Sequence, residues 1–267
     1  MLSLRIGADS IARTTSIAVM SNTTSPATDL AMADQHMANA NDILRCTANS
    51  PMSTCPNSLF AEIIHINYLR HRAAVAYAGP RCETEVSQIL QRIASFDVES
   101  WTLCKSNEKN RQHWRLLGRV YKQAVALYCV LSLDSLVGSS ASSADFLTQQ
   151  LLSSVNKAIK LPPLKRFMFW PLVVMGVGAF GRLDDVNMDG NTPSSKTRIF
   201  VLAQLVELSH HLGSFSPLAA KHLLENFWKS GRTWWDDCFD RPYVFTSQIA
   251  VDTRVRPQPE ARRPLIG

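Results

Sequence analysis

Apolar residues recur along this chain at intervals of three and four, the spacing that gathers them on one side of an α-helix. The run from Arg111 to Leu136 shows it most strongly: Trp114, Leu117, Tyr121, Ala124, Tyr128 and Leu131 form a stripe, widened by Val120 and Leu127. That pattern predicts a helix of about seven turns with a broad buried face. Upstream, Leu59, Ile63, Ile66, Tyr68 and Leu69 mark a helix over 57–78, and Val86, Ile89, Leu90 and Ile93 mark another over 83–96. Gly79-Pro80 separates the two, because both residues interrupt a helical backbone.

Downstream, GSSASSAD at 138–145 is loop chemistry, with Ser143 placed to cap a helix over Ala144–Ile159. Pro162-Pro163 ends that helix and starts the next. After a polar loop over Asp184–Lys196, Ile199, Val201, Leu202, Leu205, Val206 and Leu208 predict a helix Thr197–Leu212, with Gly213 at its C-terminal cap. Ser216-Pro217 opens a further helix through Ser230, with proline suited to the first helical position. No stretch alternates with a period of two. The expected fold is therefore all-α, an irregular multi-helix bundle of roughly seven to nine helices.

The two ends read differently. Residues 1–56 are rich in Ser, Thr, Ala and Asn, and Ala27–Leu44 makes only a weak helix, so a weakly ordered N-terminal arm is expected. From 251 to 267, three prolines and four arginines predict a flexible tail. The helical domain then spans 57–250.

Between Lys165-Arg166 and Arg182 lies FMFWPLVVMGVGAF, Phe167–Phe180. A membrane-spanning helix needs ~20 apolar residues, so this shorter run reads as a core helix, with Pro171 kinking it or marking its first turn. Its glycines, Gly176, Gly178 and Gly181, match the G-x-G-x-x-G nucleotide fingerprint. That motif requires a helix to begin at the glycines, and here loop chemistry follows instead; small residues for close helix packing are the expected reading.

Hydrophobic residues make up 46% of the chain, enough to bury a sizeable core and far from a disordered composition. The formal net charge of +6 is scattered, with adjacent basic pairs only at Lys165-Arg166 and Arg262-Arg263, which reads as a solvated surface rather than a nucleic-acid patch. The cysteines at 46, 55, 82, 104, 129 and 238 lack C-x-x-C spacing and read as reduced thiols of the cytosol or nucleus. Residues 1–20 carry Arg5, Asp9 and Arg13 through any apolar region and make a poor signal peptide, so the sequon at Asn22 reads as a chance match. Asp185, Asn187 and Asp189 open like a calcium loop, but Pro193 and Lys196 stand at its ninth and twelfth positions, where ligands belong. His210-His211 suits the end of a helix and lacks a third metal ligand. No catalytic, cofactor-binding or metal-ligating residues are assigned, and no enzyme is expected. The aromatics Phe227-Trp228 and Trp234-Trp235 read as docking a short terminal helix that starts near Asp236 or Asp237, with an exposed recognition surface as the alternative.

Taken together, several segments resemble one family. WRLLGRVYKQAVALY at 114–128 is similar to the central helix of the regulatory domain of fungal-specific transcription factors, and LKRFMFWPLVVMG at 164–176 to the apolar helix after it. SPLA at 216–219 through Phe227-Trp228, then GRTWWDDC at 231–238, resemble that domain's C-terminal end. The likeness runs in order over roughly 57–245. It implies an all-helical domain that regulates transcription in the nucleus, of a metabolic gene cluster, through protein partners of the transcription machinery. Dimerisation as a homodimer and small-molecule sensing are the modes it allows. Members usually carry an N-terminal binuclear zinc cluster of six closely spaced cysteines that contacts DNA. The dispersed cysteines here depart from that pattern, so the chain is expected to be a truncated or divergent member, or to reach DNA through a partner. The alternative function is a small-molecule-binding protein or enzyme with a pocket in the helical core; no membrane role is expected.

Overall fold

A computed structural model describes residues 14–48, 55–75, 80–105, 110–133, 141–180 and 192–245. The described residues are 84% helical and contain no strand. After a helical stretch over 14–23 come α1 (Ala33–Ala38), α2 (Ala40–Ala48), α3 (Asn57–Val75), α4 (Pro80–Ser95), α5 (Val98–Lys105) and α6 (Arg111–Ser132). The second half holds α7 (Ala141–Ala158), α8 (Pro162–Lys165), α9 (Phe169–Gly178), α10 (Pro193–Leu212) and α11 (Ser216–Ser230). Among the described residues the all-α expectation holds, and the eleven helices α1–α11 exceed the seven to nine expected. The surplus comes from short elements: α1, α2, α5 and α8 are too short for a repeating apolar stripe to show.

Two helices organise the rest. Central α6 packs against α3, α4, α5, α7 and α9, and α9 in turn contacts α7, α10 and α11. The stripe read on α6 is its core face: Leu117, Val120, Tyr121, Ala124, Leu127 and Tyr128 are all buried. Every residue of α9 is buried, which is why an apolar run without a polar face is stable here. Pro171 lies in its first turn, where a missing N–H costs nothing. The 3-10 turn Arg166–Met168 leads into it.

Glycine decides how closely the helices meet. A Cβ on Gly176 would lie 2.5 Å from Leu224 Cδ1 on α11, and one on Gly178 would lie 2.6 Å from Thr148 Oγ1 on α7. Gly176 and Gly178 of the nucleotide-like fingerprint therefore serve helix packing, and α9 ends at Gly178 instead of beginning there; Gly181 lies outside the described residues. Gly213, at φ 59°, caps α10 as expected. The polar loop expected over Asp184–Lys196 is shorter at its far end: α10 begins at Pro193, and the Thr192 hydroxyl accepts the Ser195 backbone N–H at 3.2 Å. Helix α7 begins earlier than expected, so Ser143 lies inside its first turn and does not cap it.

The segment expected as a weakly ordered arm contributes to the same core. Val19, Met20, Leu30, Ala33 and Ile43 are buried, and so are the polar Asn22, Thr23, Thr24 and Ser25. The expected tail over 251–267 and the calcium-like residues 185–189 lie outside the described residues. No helix among the described residues is long and apolar enough to cross a membrane.

Candidate functional site

Arg70, on α3, sits at the centre of a buried polar cluster with its side chain 0% exposed. It donates to the carbonyls of Asn22 (2.9 Å) and Ser25 (2.8 Å), to the Tyr128 hydroxyl (2.8 Å) and to the Asp236 carboxylate. Tyr128 passes its own proton to Asn67 Oδ1 at 2.6 Å, and Asn67 donates to the Val19 carbonyl at 2.9 Å. Burial raises the Tyr128 pKa, against the pull of Arg70, to about 12, so the hydroxyl keeps its proton. Trp170 and Trp235 both donate to Thr23, each at 2.9 Å, one to its hydroxyl and one to its carbonyl. Thr24 and Tyr243 close the cluster through bonds of 2.7 and 3.2 Å. A buried cation is tolerable only when most of its donors are matched, and four of the five N–H donors of Arg70 are, with Nε buried without a partner among the described residues. Here they join the N-terminal segment, two central helices and the C-terminal turn Trp235–Cys238.

This cluster answers two of the sequence expectations. Asn22, in the sequon, is buried and donates to the Ala31 carbonyl at 2.9 Å. Trp235 docks the short terminal turn, with Tyr128 and Phe239 rings 4.9 and 5.4 Å away, while Trp234 stays 52% exposed.

A second buried charge lies on the same helix, about two turns before Arg70. Glu62 accepts from Arg92 Nε at 2.7 Å and Nη2 at 2.8 Å, with His65 Nδ1 at 3.6 Å. Burial pushes its carboxyl up, but bonds from His65 and Arg92 and the Arg92 charge outweigh that and hold it below the ordinary value. His210 and His211 end α10 as expected, and the described residues contain no group of three His, Cys, Asp or Glu side chains arranged to hold a metal. Cys129 and Cys238 are buried; burial raises the Cys129 thiol to about 12 and Cys238 also well up.

The concave feature best suited to a ligand is a cleft of about 800 Å³ beside α6, on the side away from α9. Its walls come from Leu90 and Ile93 on α4, Ala126 and Val130 on α6, and Phe146 and Leu147 on α7. Charged groups ring it. Asp97 accepts from the backbone of Glu99 (2.9 Å) and Ser100 (3.2 Å) and from the Ser100 hydroxyl (2.6 Å), capping α5. Those bonds, the hydroxyl's first, hold its carboxyl below the ordinary value. Glu99 pairs with Arg115 at 2.7 Å. Lys122 donates to the carbonyls of Ala94 (2.7 Å) and Phe96 (2.9 Å), satisfying the end of α4. Size, apolar lining and few polar groups are what small-molecule sites usually show. Ala126 and Val130 fall outside the stripe that predicts the core face of α6, so the cleft has no signal in that stripe. The weaker second stripe on the same helix is the trace that could have revealed it.

Comparison with known proteins gives this helical architecture a lineage. A model described as fungal specific transcription factor domain matches residues 11–246. The chain is 38% identical over 246 residues to a protein of Leptosphaeria maculans described as a phomenoic acid biosynthesis cluster-specific transcriptional regulator. That match covers 88% of this chain and 45% of the relative, so the chain spans about half the length of the curated relative it matches. No solved structure matches. A family model spanning nearly all of the described helices, agreeing with their all-α packing, leaves one assignment: the chain belongs to the fungal specific transcription factor domain family.

Proposed function

We propose that this chain is the regulatory helical domain of a transcription regulator that controls a biosynthetic gene cluster from within the nucleus. The observation that carries the reading is the alignment to a cluster-specific regulator over 88% of the chain. It acts through protein partners of the transcription machinery rather than by catalysis. These residues are not assigned a DNA contact, since the cysteines at 46, 55, 82, 104, 129 and 238 are spread too widely for a binuclear zinc cluster. The bundle supports this role physically. The Arg70 cluster and the close contacts at Gly176 and Gly178 make one rigid unit, which holds any surface it presents in fixed geometry.

Deleting the gene and profiling transcripts tests the reading. The expected result is that a contiguous set of biosynthetic genes changes several-fold while unlinked genes do not. A transcript profile indistinguishable from the parent strain under conditions where the gene is expressed refutes it, as does a tagged chain that stays outside the nucleus.

A further inference from the structure

Helix α6 carries a second line of residues besides its core stripe. Arg119, Gln123, Ala126 and Val130 follow at intervals of four, three and four, so they share one face. That face lines the cleft, with Arg119 exposed at one end and Val130 buried at the other. From Arg119 to Val130 the helix rises about 16 Å. The line is thus a graded wall: a cation at the mouth, an amide next, then hydrocarbon.

The charges around the mouth are not equivalent. Asp97 is engaged in capping α5, Glu99 is paired with Arg115, and Lys122 is held by two carbonyls at the end of α4. Arg119 has no hydrogen bond or ion pair to any described residue. The amide oxygen of Gln123 is buried and has no partner either. An unpaired guanidinium next to an apolar trough is complementary to one ligand class: an anion with a hydrocarbon body. A planar carboxylate matches the guanidinium fork in both charge and shape.

We propose that the cleft between α4, α6 and α7 binds an amphipathic apolar carboxylic acid, with its carboxylate on Arg119 and its hydrocarbon chain along Ile93, Ala126, Val130 and Leu147. A hydroxyl or amide N–H placed one helical turn deeper than the carboxylate satisfies Gln123, so a hydroxylated acid binds more tightly than the plain one. This goes beyond the regulatory reading and does not rest on it, because binding is measured on the purified chain without reference to transcription.

The test is a calorimetric titration of the full chain with three probes of one length, dodecanoate, dodecanol and dodecylammonium, all below their aggregation concentrations. Dodecanoate is expected to bind about tenfold more tightly than dodecanol, with dodecylammonium the weakest. Arg119→Met, an exposed replacement that keeps an apolar stem, removes the advantage of dodecanoate and leaves dodecanol unchanged. Ala126→Trp fills the trough and abolishes binding of all three; a thermal melt verifies that this variant remains folded. Ala126→Leu, a smaller filling of the same trough, is expected to weaken all three probes, so the trough stays testable even if Ala126→Trp fails to fold. Equal affinity for dodecanoate and dodecylammonium overturns the proposal. So does an undiminished dodecanoate affinity in Arg119→Met, or no binding of dodecanoate to the parent chain.

Discussion

Replacing Arg70 with methionine tests whether the buried polar cluster holds the two ends of the chain to the core. The side chain is 0% exposed and donates to four acceptors, which the substitution leaves in place without their donor. Two of them, the carbonyls of Asn22 and Ser25, lie on buried residues, and each orphaned acceptor costs about 1–3 kcal/mol. The Tyr128 hydroxyl loses a donor but still gives its proton to Asn67, so its cost is smaller. Asp236 is 41% exposed, so water recovers much of its lost pairing and its share falls to about 0–1 kcal/mol. Removing the burial cost of a charge offsets part of this, and the net expectation is a loss of about 3–5 kcal/mol. Against a typical domain stability of about 5–15 kcal/mol, that is a large fraction. Urea unfolding followed by far-UV circular dichroism measures it, with an unchanged slope showing that the comparison is valid. Asp236→Asn, run in parallel, is expected to cost no more than about 1 kcal/mol. The reasoning fails if Arg70→Met unfolds within 1 kcal/mol of the parent, or if Asp236→Asn costs as much as Arg70→Met. The second result would place the energy in the ion pair instead of the carbonyls.

Three further outcomes follow from the same geometry. Gly176→Val is expected to destabilise by about 2 kcal/mol in the same urea assay, since Leu224 already occupies the space of the new side chain; a gain in stability would show that α11 can move aside. Stability should fall as pH is lowered. Burial keeps His36 neutral with its pKa below the ordinary value, so stability declines once the unfolded histidine protonates, near pH ~6.5. Glu62, also lowered in the folded state, adds its contribution above the unfolded value of ~4.3 and loses it as pH falls through the folded one; urea midpoints from pH 7 to 3 measure both, and Glu62→Gln should flatten the acid limb. In thiol titration of the native chain, the exposed Cys46 and Cys104 should react readily, and the buried Cys129 and Cys238 only after unfolding; fast labelling of Cys129 would contradict its place inside α6.

The helices that carry a long apolar stripe were readable from the chain alone. Those of α3, α4, α6 and α10 follow from spacing, and Gly213 and Pro217 mark boundaries that local backbone sterics impose. Helix α5 left no such trace, because eight residues give an apolar stripe no room to repeat. The N-terminal segment misleads for a different reason. Its serines, threonines and asparagine look solvated, yet Asn22, Thr23, Thr24 and Ser25 are buried because Arg70, Trp170 and Trp235 supply their partners. Those partners lie far along the chain, with Thr23 and Trp235 separated by 212 positions. Local composition registers the polarity of a residue and not who will bond to it.

The candidate site divides in the same way. The apolar and charged residues along α6 are plain in the sequence, and their common face follows from helix geometry. That this face lines a cleft depends on α4 and α7 both packing against α6. Which of the mouth's charges remain free is settled by hydrogen bonds between elements. The sequence by itself determined the helical class, the core stripe of α6 and the burial of α9, because periodicity and apolar content act over neighbouring residues. Only the tertiary structure decided the buried Arg70 cluster, the glycine contacts and the cleft, because each depends on residues that chain folding brings together from a distance.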